Sequence, residues 1–204
     1  MNDTTSQSDM TIFTIGHSNH QLETFLDLLA QHGVQLVVDV RSSPYSGYAS
    51  HFNKEVIQSA LHARAVEYLF LGAVIGGRPQ GDDFYDEQGY VLYDRLARSA
   101  AFQRGIEQLL NRLGGACTVL LCGEEDPTSC HRRLLIGRVL RARGIEVRHI
   151  RGDGRIQSEE EIAQAEKCAK TKGQLSLFET EDPDEWKSSR SASPRKPQPN
   201  SSRP

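Results

Sequence analysis

Residues 117–142, CTVLLCGEEDPTSCHRRLLIGRVLRA, place a short apolar run next to a stretch of helical period. The run at 117–123 is apolar at nearly every position, which is typical of a strand buried on both faces of a sheet. The acidic turn that follows contains a proline, a residue favoured in the first position of a helix. Apolar residues then recur at helical spacing, so residues 129–142 are predicted to form a helix.

The same alternation of apolar strands and amphipathic helices extends over residues 10–154. Strands are predicted at residues 10–16, 35–40, 66–72, 117–123 and 146–150. Helices are predicted from residue 22 to the stop at Gly33, and at residues 53–65, 91–113 and 129–142. Strands that alternate with helices favour a parallel sheet covered by helices on both faces. We therefore predict an α/β fold: a single three-layer, Rossmann-like domain with a mostly parallel sheet of about five strands.

The two ends of the chain differ from this domain in composition. Residues 1–9 are polar and are predicted to be disordered. Residues 155–171 are predicted to form a solvated helix or linker, with Ser158 as its N-cap and glutamates in its first turn. Residues 172–204, in which proline, serine and charged residues dominate, are predicted to be a disordered tail.

Overall charge and hydropathy limit the partners of the chain. Its 204 residues carry a net charge of −3, so bulk electrostatics do not favour binding to nucleic acid. The first nine residues do not resemble a signal peptide, and no apolar run is long enough to span a bilayer. We expect a cytoplasmic protein without a membrane partner, whose four cysteines are reduced.

Polar side chains follow each predicted strand at its carboxyl end, where ligands bind in open parallel sheets. Because these ends share one edge of the sheet, the side chains are expected to form one pocket. Those able to transfer a proton or act as a nucleophile are the candidate catalytic residues: His17, Asp39, Glu124 and Cys130. The candidates for binding a substrate or an anion are Gly16, Ser18, Arg41, Ser46, Gly77, Cys122, His131 and Arg132.

The start of the helix after the fourth strand is the candidate anion site. Asp126-Pro127 or Thr128 would begin this helix, which places Cys130 and Arg132 in its first turns. Unpaired backbone N–H groups and the helix dipole favour an anion there. The same position lowers the pKa of a cysteine thiol, and an arginine can bind phosphate or carboxylate with two parallel hydrogen bonds.

Each candidate also has a purely structural interpretation, and the sequence leaves both open. Cys130 can be a small core residue packed under the helix. Glu124 can pair with a neighbouring arginine, and Asp39 with Arg41. His17 follows a glycine at a tight turn and can cap a helix.

A metal ion is the less favoured interpretation of the same cluster. Cys122, Cys130 and His131 offer three ligands, with His17 as a possible fourth. However, Cys-x7-Cys-His is not a usual zinc spacing, and paired Cys-x-x-Cys motifs are absent from the sequence. We therefore predict no metal and no other cofactor.

Six short motifs, taken together in their order, resemble one known family. They are Gly16-His17-Ser18, Asp39-Val40-Arg41, Leu71-Gly72 with Gly76-Gly77, Cys122-Gly123-Glu124, Asp126-Pro127 and Cys130-His131-Arg132. Over residues 11–151 the chain is similar to the prokaryotic "domain of unknown function 488" family. The resemblance implies a Rossmann-like α/β domain with a pocket built from these residues, and it implies no particular reaction.

A second resemblance lies beyond the domain, in QLSLF (174–178). This segment is similar to the peptide by which bacterial replication and repair proteins dock on the DNA sliding clamp. The predicted contacts are made by Gln174, Leu175, Leu177 and Phe178, with the last two inserted into an apolar groove. Alternatively, the three apolar residues pack back onto the domain or form an edge strand.

Three functions remain compatible with the sequence. The first is a DNA-maintenance enzyme that acts on a nucleotide or base and is brought to DNA by the sliding clamp. The second is a small-metabolite enzyme that uses cysteine or glutamate chemistry. The third is a non-catalytic adaptor that binds a nucleotide or nucleic acid in the same pocket.

Overall fold

The computed structural model describes residues 10–172 and 186–192. The strands, in chain order, are β1 (Thr11–Gly16), β2 (Leu36–Asp39), β3 (Glu67–Phe70), β4 (Tyr90–Leu92), β5 (Thr118–Cys122), β6 (Glu146–Ile150), β7 (Ile156–Ser158) and β8 (Lys187–Ser191). The α-helices are α1 (Leu22–Gln31), α2 (Lys54–Ala63), α3 (Gly72–Ile75), α4 (Tyr93–Arg98), α5 (Ala100–Leu110), α6 (Arg138–Arg141) and α7 (Glu159–Lys172). The predicted α/β fold with a mostly parallel sheet is confirmed.

The main sheet has six strands in the order β3-β2-β5-β1-β6-β7, and only β7 runs antiparallel to its neighbour. β5 lies between β1 and β2, so the strand that comes later in the chain is inserted between the first two. In the Rossmann order, by contrast, the first two strands are adjacent. Gly16 of β1 is in register with Cys122 of β5, and Asp39 of β2 with Leu121. The loops that follow these three strands therefore leave the sheet side by side.

Each face of the sheet is covered by its own apolar cluster, which gives three layers. On β5, Val119 and Leu121 belong to the cluster that contains the buried residues of α1 and α2. Leu120 and Cys122 point the other way, into the cluster that contains residues of α3 to α6. Because both faces are covered, β2 and β5 are buried at every position, and their largely apolar sequences are the pattern that predicted them.

The prediction of a single helix over residues 91–113 is wrong. The segment begins with the strand β4, and a break at Ser99 separates α4 from α5. Ser99 has an extended backbone, and its side chain accepts a hydrogen bond from the amide of Phe102 at 3.3 Å. Serine competes with the helix for backbone hydrogen bonds, so it caps a second helix rather than continuing the first.

The helix predicted over residues 129–142 is also more irregular than expected. A 3₁₀ turn spans Pro127–Ser129, and Cys130 has an extended backbone. A π-helical segment then spans Arg132–Gly137 and continues into α6. Cys130 thus precedes the helix instead of lying in its first turn. Single π-helical turns are frequent at functional sites.

The helix expected within residues 155–171, with Ser158 as its N-cap and glutamates in its first turn, is present as α7 and is joined to the sheet through β7. β7 adds to the sheet edge, and α7 follows it directly. The amide of Glu161 donates to Ser158 Oγ at 3.2 Å, and Glu161 Oε2 accepts from the Ser158 amide at 2.8 Å, which forms a capping box. Glu159 and Ile162 in the first turn are buried, so this end of the helix packs on the domain.

Most of the predicted tail lies outside the described residues, and so do the QLSLF segment and residues 1–9. The described part, residues 186–192, contains β8, which pairs antiparallel with β4. This strand was not predicted. No helix in the described portion is long and apolar enough to cross a membrane.

Candidate functional site

A cavity of about 420 Å³ opens at the carboxyl ends of β1, β2 and β5. We call its base the cavity floor, formed by His17, Arg41, Cys122 and His131. We call one side the cavity wall, formed by residues 188–192 of β8 and its end. A serine-containing loop at residues 42–46 and Glu124 complete the lining. Seven of the predicted candidates thus meet in one cavity: His17, Arg41, Ser46, Gly77, Cys122, Glu124 and His131.

Arg41 is held by a buried ion pair with Asp39. Nε and Nη2 of Arg41 donate to the two carboxylate oxygens of Asp39 at 2.9 and 2.6 Å. The backbone amide of Arg41 and the hydroxyl of Tyr68 also donate to this carboxylate, at 3.1 and 2.8 Å. Asp39 is fully buried and does not line the cavity. The geometry does not support the predicted proton transfer by Asp39, and instead favours a positioning role.

The ring of His17 is neutral and fixed in orientation. It stacks on Phe52 with ring centroids 4.3 Å apart. Its Nδ1 lies 2.9 Å from the carbonyl oxygen of Ser18, which only accepts, so the proton is on Nδ1. Nε2 then carries the lone pair and lies 3.3 Å from Arg41 Nη1. Burial, followed by the Arg41 charge, lowers the pKa of His17 to about 4.

Two thiols and an imidazole meet where β5 ends. Cys130 Sγ lies 3.2 Å from Cys122 Sγ, and His131 Nδ1 lies 3.7 Å from Cys122 Sγ and 3.8 Å from Cys130 Sγ. Both cysteines are free thiols and buried. The hydrogen bond from Cys130, followed by the effect of His131, lowers the pKa of Cys122 well below its usual value despite burial. The same contact raises the pKa of Cys130.

The thiol that a ligand in the cavity can reach is Cys122 and not Cys130, the candidate chosen from the sequence. Cys122 lines the cavity, whereas Cys130 lies behind it. The structural interpretation of Cys130 as a buried residue holds as well, since only 2% of its surface is exposed.

His131 is oriented by the backbone around it. Its Nε2 lies 3.0 Å from the carbonyl oxygen of Val40, which only accepts, so Nε2 carries a proton. In the neutral ring, Nδ1 then presents a lone pair to the two sulfur atoms. Gly77 lies against this ring, since a Cβ there would be 2.6 Å from a ring carbon. Burial lowers the pKa of His131, but the nearby Cys122 outweighs it and the pKa is raised.

Arg132 supports the site from below and does not face the cavity. It is fully buried. Its Nε donates to Thr14 Oγ1 at 3.1 Å, its Nη2 to the Glu125 carbonyl at 2.5 Å, and its Nη1 to the Glu124 carbonyl. With its guanidinium bonded to these groups, the predicted anion binding by Arg132 is not supported by the geometry. Arg132 instead fixes the loop that carries Glu124.

A known protein family matches the part of the chain that contains most of the residues lining this cavity. A family model described as "Domain of unknown function DUF488" matches residues 21–139, more than half of the chain. The chain belongs to the DUF488 family. No curated protein and no solved structure matches it. Within the DUF488 match lie Arg41, Cys122, Glu124 and His131, whereas His17 and the cavity wall lie outside it.

Gly16 and Ser18, two of the predicted binding residues, make structural contacts and do not face the cavity. Neither lines the cavity of this DUF488 domain. A Cβ on Gly16 would lie 1.7 Å from the carbonyl oxygen of Glu124, so only glycine lets β1 approach this loop. The amide of Ser18 donates to the carbonyl of Gly123 at 2.9 Å. Ser46 does line the cavity, but its hydroxyl accepts from the amides of residues 48 and 49.

Glu124 and several unpredicted residues form the sides of the DUF488 cavity. The Glu124 side chain is 46% exposed, and its Oε1 lies 3.9 Å from Arg190 Nη1 of the cavity wall. Arg78 and Tyr93 also line the cavity. Arg78 directly follows the Gly76-Gly77 pair, a signal that could have selected it. No comparable signal precedes Arg190, since its strand is polar and lies far along the chain.

Proposed function

We propose that this DUF488 domain is an enzyme that acts on a nucleotide or a nucleobase bound in the cavity. The observation that carries the proposal is the convergence of Arg41, Cys122, Glu124 and His131 on one cavity of about 420 Å³. A cavity of this size is in the range that small ligands occupy. A sheet edge built only for stability needs no such collection of charged, thiol and imidazole groups.

Positive charge around the cavity supports an anionic ligand such as a phosphate. At the cavity floor Arg41 is paired with Asp39, so the positive charge comes mainly from Arg78 and Arg190, which lie exposed on the sides of the cavity. Arg78 makes no ion pair with any residue that the structure describes. Guanidinium groups bind phosphate with paired hydrogen bonds, so these side chains suit the phosphate while the cavity floor faces the reacting part of the ligand.

Glu124 is the proposed general acid or base. It is the only carboxylate on the lining of this cavity in the described residues, and solvent reaches it. His17 is neutral near pH 7 and accepts from Arg41, so it suits the binding of a donor group on the ligand better than proton release. A positioned carboxylate typically contributes a factor of about 10²–10⁴ to the rate.

The test of the enzyme proposal is a turnover screen with nucleoside mono-, di- and triphosphates and with oligonucleotides that carry damaged bases. Glu124→Gln should bind the substrate with similar affinity and lose at least about a hundredfold in turnover. Arg148→Ala, at an exposed pair on β6, is the matched control and should leave turnover unchanged. Binding that persists in the native chain without turnover of any substrate would favour the adaptor instead.

The QLSLF segment supports the DNA-maintenance setting, in a cytoplasmic protein. A docked peptide would raise the local concentration of the domain on DNA, for which a net charge of −3 gives little affinity. We expect micromolar binding to a bacterial sliding clamp, lost in a Leu177→Ala/Phe178→Ala variant and kept in Glu179→Ala just outside the segment. Equal binding by all three chains, or by none, would remove this part of the proposal.

A small-metabolite enzyme that uses thiol chemistry is the second candidate. It is favoured by the position of Cys122 Sγ on the cavity, with His131 Nδ1 3.7 Å away as a neighbouring base. Rapid alkylation of Cys122 near neutral pH, prevented by a phosphorylated metabolite but not by nucleotides, would support this candidate. A Cys122 that alkylates no faster than Cys168 would count against it.

A further inference from the structure

The three potential ligand atoms at the end of β5 form a compact triangle. Its edges are 3.2 Å between the sulfur atoms of Cys122 and Cys130, and 3.7 and 3.8 Å from these sulfurs to His131 Nδ1. In the described residues, this is the one group of three histidine, cysteine or carboxylate side chains close enough to share a metal ion.

The triangle matches the ligand spacing of a tetrahedral zinc ion. Zinc lies about 2.3 Å from thiolate sulfur and about 2.0–2.1 Å from imidazole nitrogen, which separates neighbouring ligand atoms by roughly 3.5–3.8 Å. The two nitrogen-to-sulfur edges lie at this value, and the sulfur-to-sulfur edge is shorter by about half an ångström. A shift of a few tenths of an ångström in each thiol therefore completes the geometry.

The orientation of His131 is the second observation that points to a metal. A histidine that binds a metal usually donates its other ring N–H to a carbonyl or carboxylate, which fixes the tautomer. His131 has this arrangement, because its Nε2 donates to the Val40 carbonyl at 3.0 Å and leaves the Nδ1 lone pair facing the sulfurs. Gly77 packs against the ring, and a Cβ at this position would lie 2.6 Å from a ring carbon.

Charge balance is compatible with the same assignment. Cys122 and Cys130 are 6% and 2% exposed, and each of these buried thiols would lose its proton when it binds the metal. Two thiolates and one divalent cation sum to zero charge. The unusual Cys-x7-Cys-His spacing arises because the loop at residues 123–129 leaves the end of β5 and returns to it, so it is not the short turn of a zinc knuckle.

We propose that Cys122, Cys130 and His131 bind a divalent zinc ion at the floor of the cavity, with one coordination position open. Cys122 and His131 line the cavity while Cys130 lies behind, so the open position faces the ligand. Three protein ligands with an open position are the pattern of catalytic zinc sites, whereas structural sites have four.

The use of this ion in catalysis rests on the proposed function. Zinc held by one histidine and two cysteines, beside a glutamate that is not a ligand, is the arrangement of the zinc-dependent nucleobase deaminases. Glu124 lines the same cavity and is not part of the triangle. A nucleobase bound with an electrophilic carbon near the open position would therefore meet both groups needed for metal-assisted hydrolysis.

The first experiment measures metal in the full chain, purified without chelator after growth with added zinc. We expect about one zinc ion per chain, and a loss of at least tenfold in bound zinc in Cys122→Ser and Cys130→Ser. Cys117→Ser, outside the triangle, should keep the ion. Replacement of zinc by cobalt should give thiolate-to-metal charge-transfer absorption and the visible spectrum of tetrahedral cobalt.

The second experiment begins with the native chain, so its main result does not depend on the folding of a variant. In the native chain, a thiol reagent should modify the exposed Cys168 rapidly and should reach Cys122 and Cys130 only after a chelator is added. His131→Cys supplies an alternative ligand, and should keep the metal with a shifted cobalt spectrum. Both results would support the site.

Three outcomes would overturn the metal site. They are a native chain without zinc after reconstitution, zinc retained in the Cys122→Ser/Cys130→Ser double variant, and a Cys122–Cys130 disulfide in protein purified anaerobically. Metal binding without turnover of nucleotides leaves the site in place and removes the proposed function. Turnover that survives complete metal removal keeps the function and removes the catalytic use of the ion.

Discussion

The cavity floor and the cavity wall are built by different physical means, although they face the same ligand. The floor lies at the ends of three central parallel strands and is fixed by buried polar groups such as the Asp39–Arg41 pair. The wall is a single short strand whose one partner strand, among the residues that the structure describes, is β4. The floor should therefore lose its structure only when the whole domain unfolds, whereas the wall should open locally while the domain remains folded.

The largest expected effect comes from breaking the floor at Asp39. Asp39→Ala leaves the buried Arg41 charge and the Tyr68 hydroxyl without their partner, and should lower the free energy of unfolding by about 3–5 kcal/mol. Urea titration followed by circular dichroism measures this. Asp153→Ala is the matched control, since Asp153 also pairs with an arginine two residues later but in solvent. A loss at Asp39 no larger than that at Asp153 would contradict a floor held by buried charge.

The second effect is a pH dependence of the free energy of unfolding, which originates at His17 in the floor. The pKa of His17 is about 4 in the folded chain and near 6.5 when exposed. As pH falls below 6.5, the unfolded chain takes up a proton that the folded chain does not, so stability is lost until the pH reaches about 4. Between pH 7 and pH 4, His17 should lower the free energy of unfolding by about 2–3 kcal/mol.

The measurement compares the native chain with His17→Gln in urea titrations from pH 7 to pH 4. The variant should show a shallower fall in unfolding free energy over this range, whatever its stability at pH 7. His149, whose pKa is also lowered by burial, is present in both chains and cancels in the difference. Parallel curves for the two chains would show that His17 is not held neutral by the fold.

The third effect concerns the wall. Trp186 precedes β8, donates its indole N–H to the Leu134 carbonyl at 2.8 Å, and packs against Arg138 and Tyr93. Trp186→Ala should therefore release β8 at a cost of about 1–2 kcal/mol in local opening, with little effect on global unfolding.

Amide hydrogen exchange distinguishes local from global opening. The amide of Val91, which donates to Ser188 Oγ at 2.8 Å, should exchange about tenfold faster in Trp186→Ala. The amide of Val119 in the central strand should be unchanged. If both amides lost protection equally, the wall would be part of the same cooperative unit as the floor.

The difference between floor and wall also explains what the sequence could predict. The residues of the floor could be predicted from the sequence because strands that are largely apolar indicate a parallel sheet. The carboxyl ends of such strands lie at one edge of the sheet. Gly16 and Cys122, and likewise Asp39 and Leu121, are paired in register at that edge. The order of the strands was not predictable, since no local pattern encodes the insertion of β5 between β1 and β2.

The wall was not predictable for a related reason. β8 (KSSRS) has neither the β-branched and aromatic residues nor the apolar alternation that indicate a strand. It pairs with a segment about a hundred residues earlier, Tyr90 with Ser191. The role of Arg132 was missed likewise, since an arginine beside Cys130 and His131 gives no sign that two backbone carbonyls will enclose its guanidinium.

The smallest expected effect, and the sharpest test of the wall as a binding surface, comes from Arg190. Its side chain is 73% exposed and lies 3.9 Å from Glu124, so Arg190→Ala should leave stability almost unchanged. If the wall contributes its charge to a bound phosphate, the Kd for a nucleotide should rise by roughly three- to tenfold. Arg190→Lys keeps the charge but loses the paired N–H donors, so its Kd should lie between those of the native chain and Arg190→Ala. An unchanged Kd in both variants would mean that the wall only encloses the ligand, and that the cavity floor and Arg78 alone bind the anion.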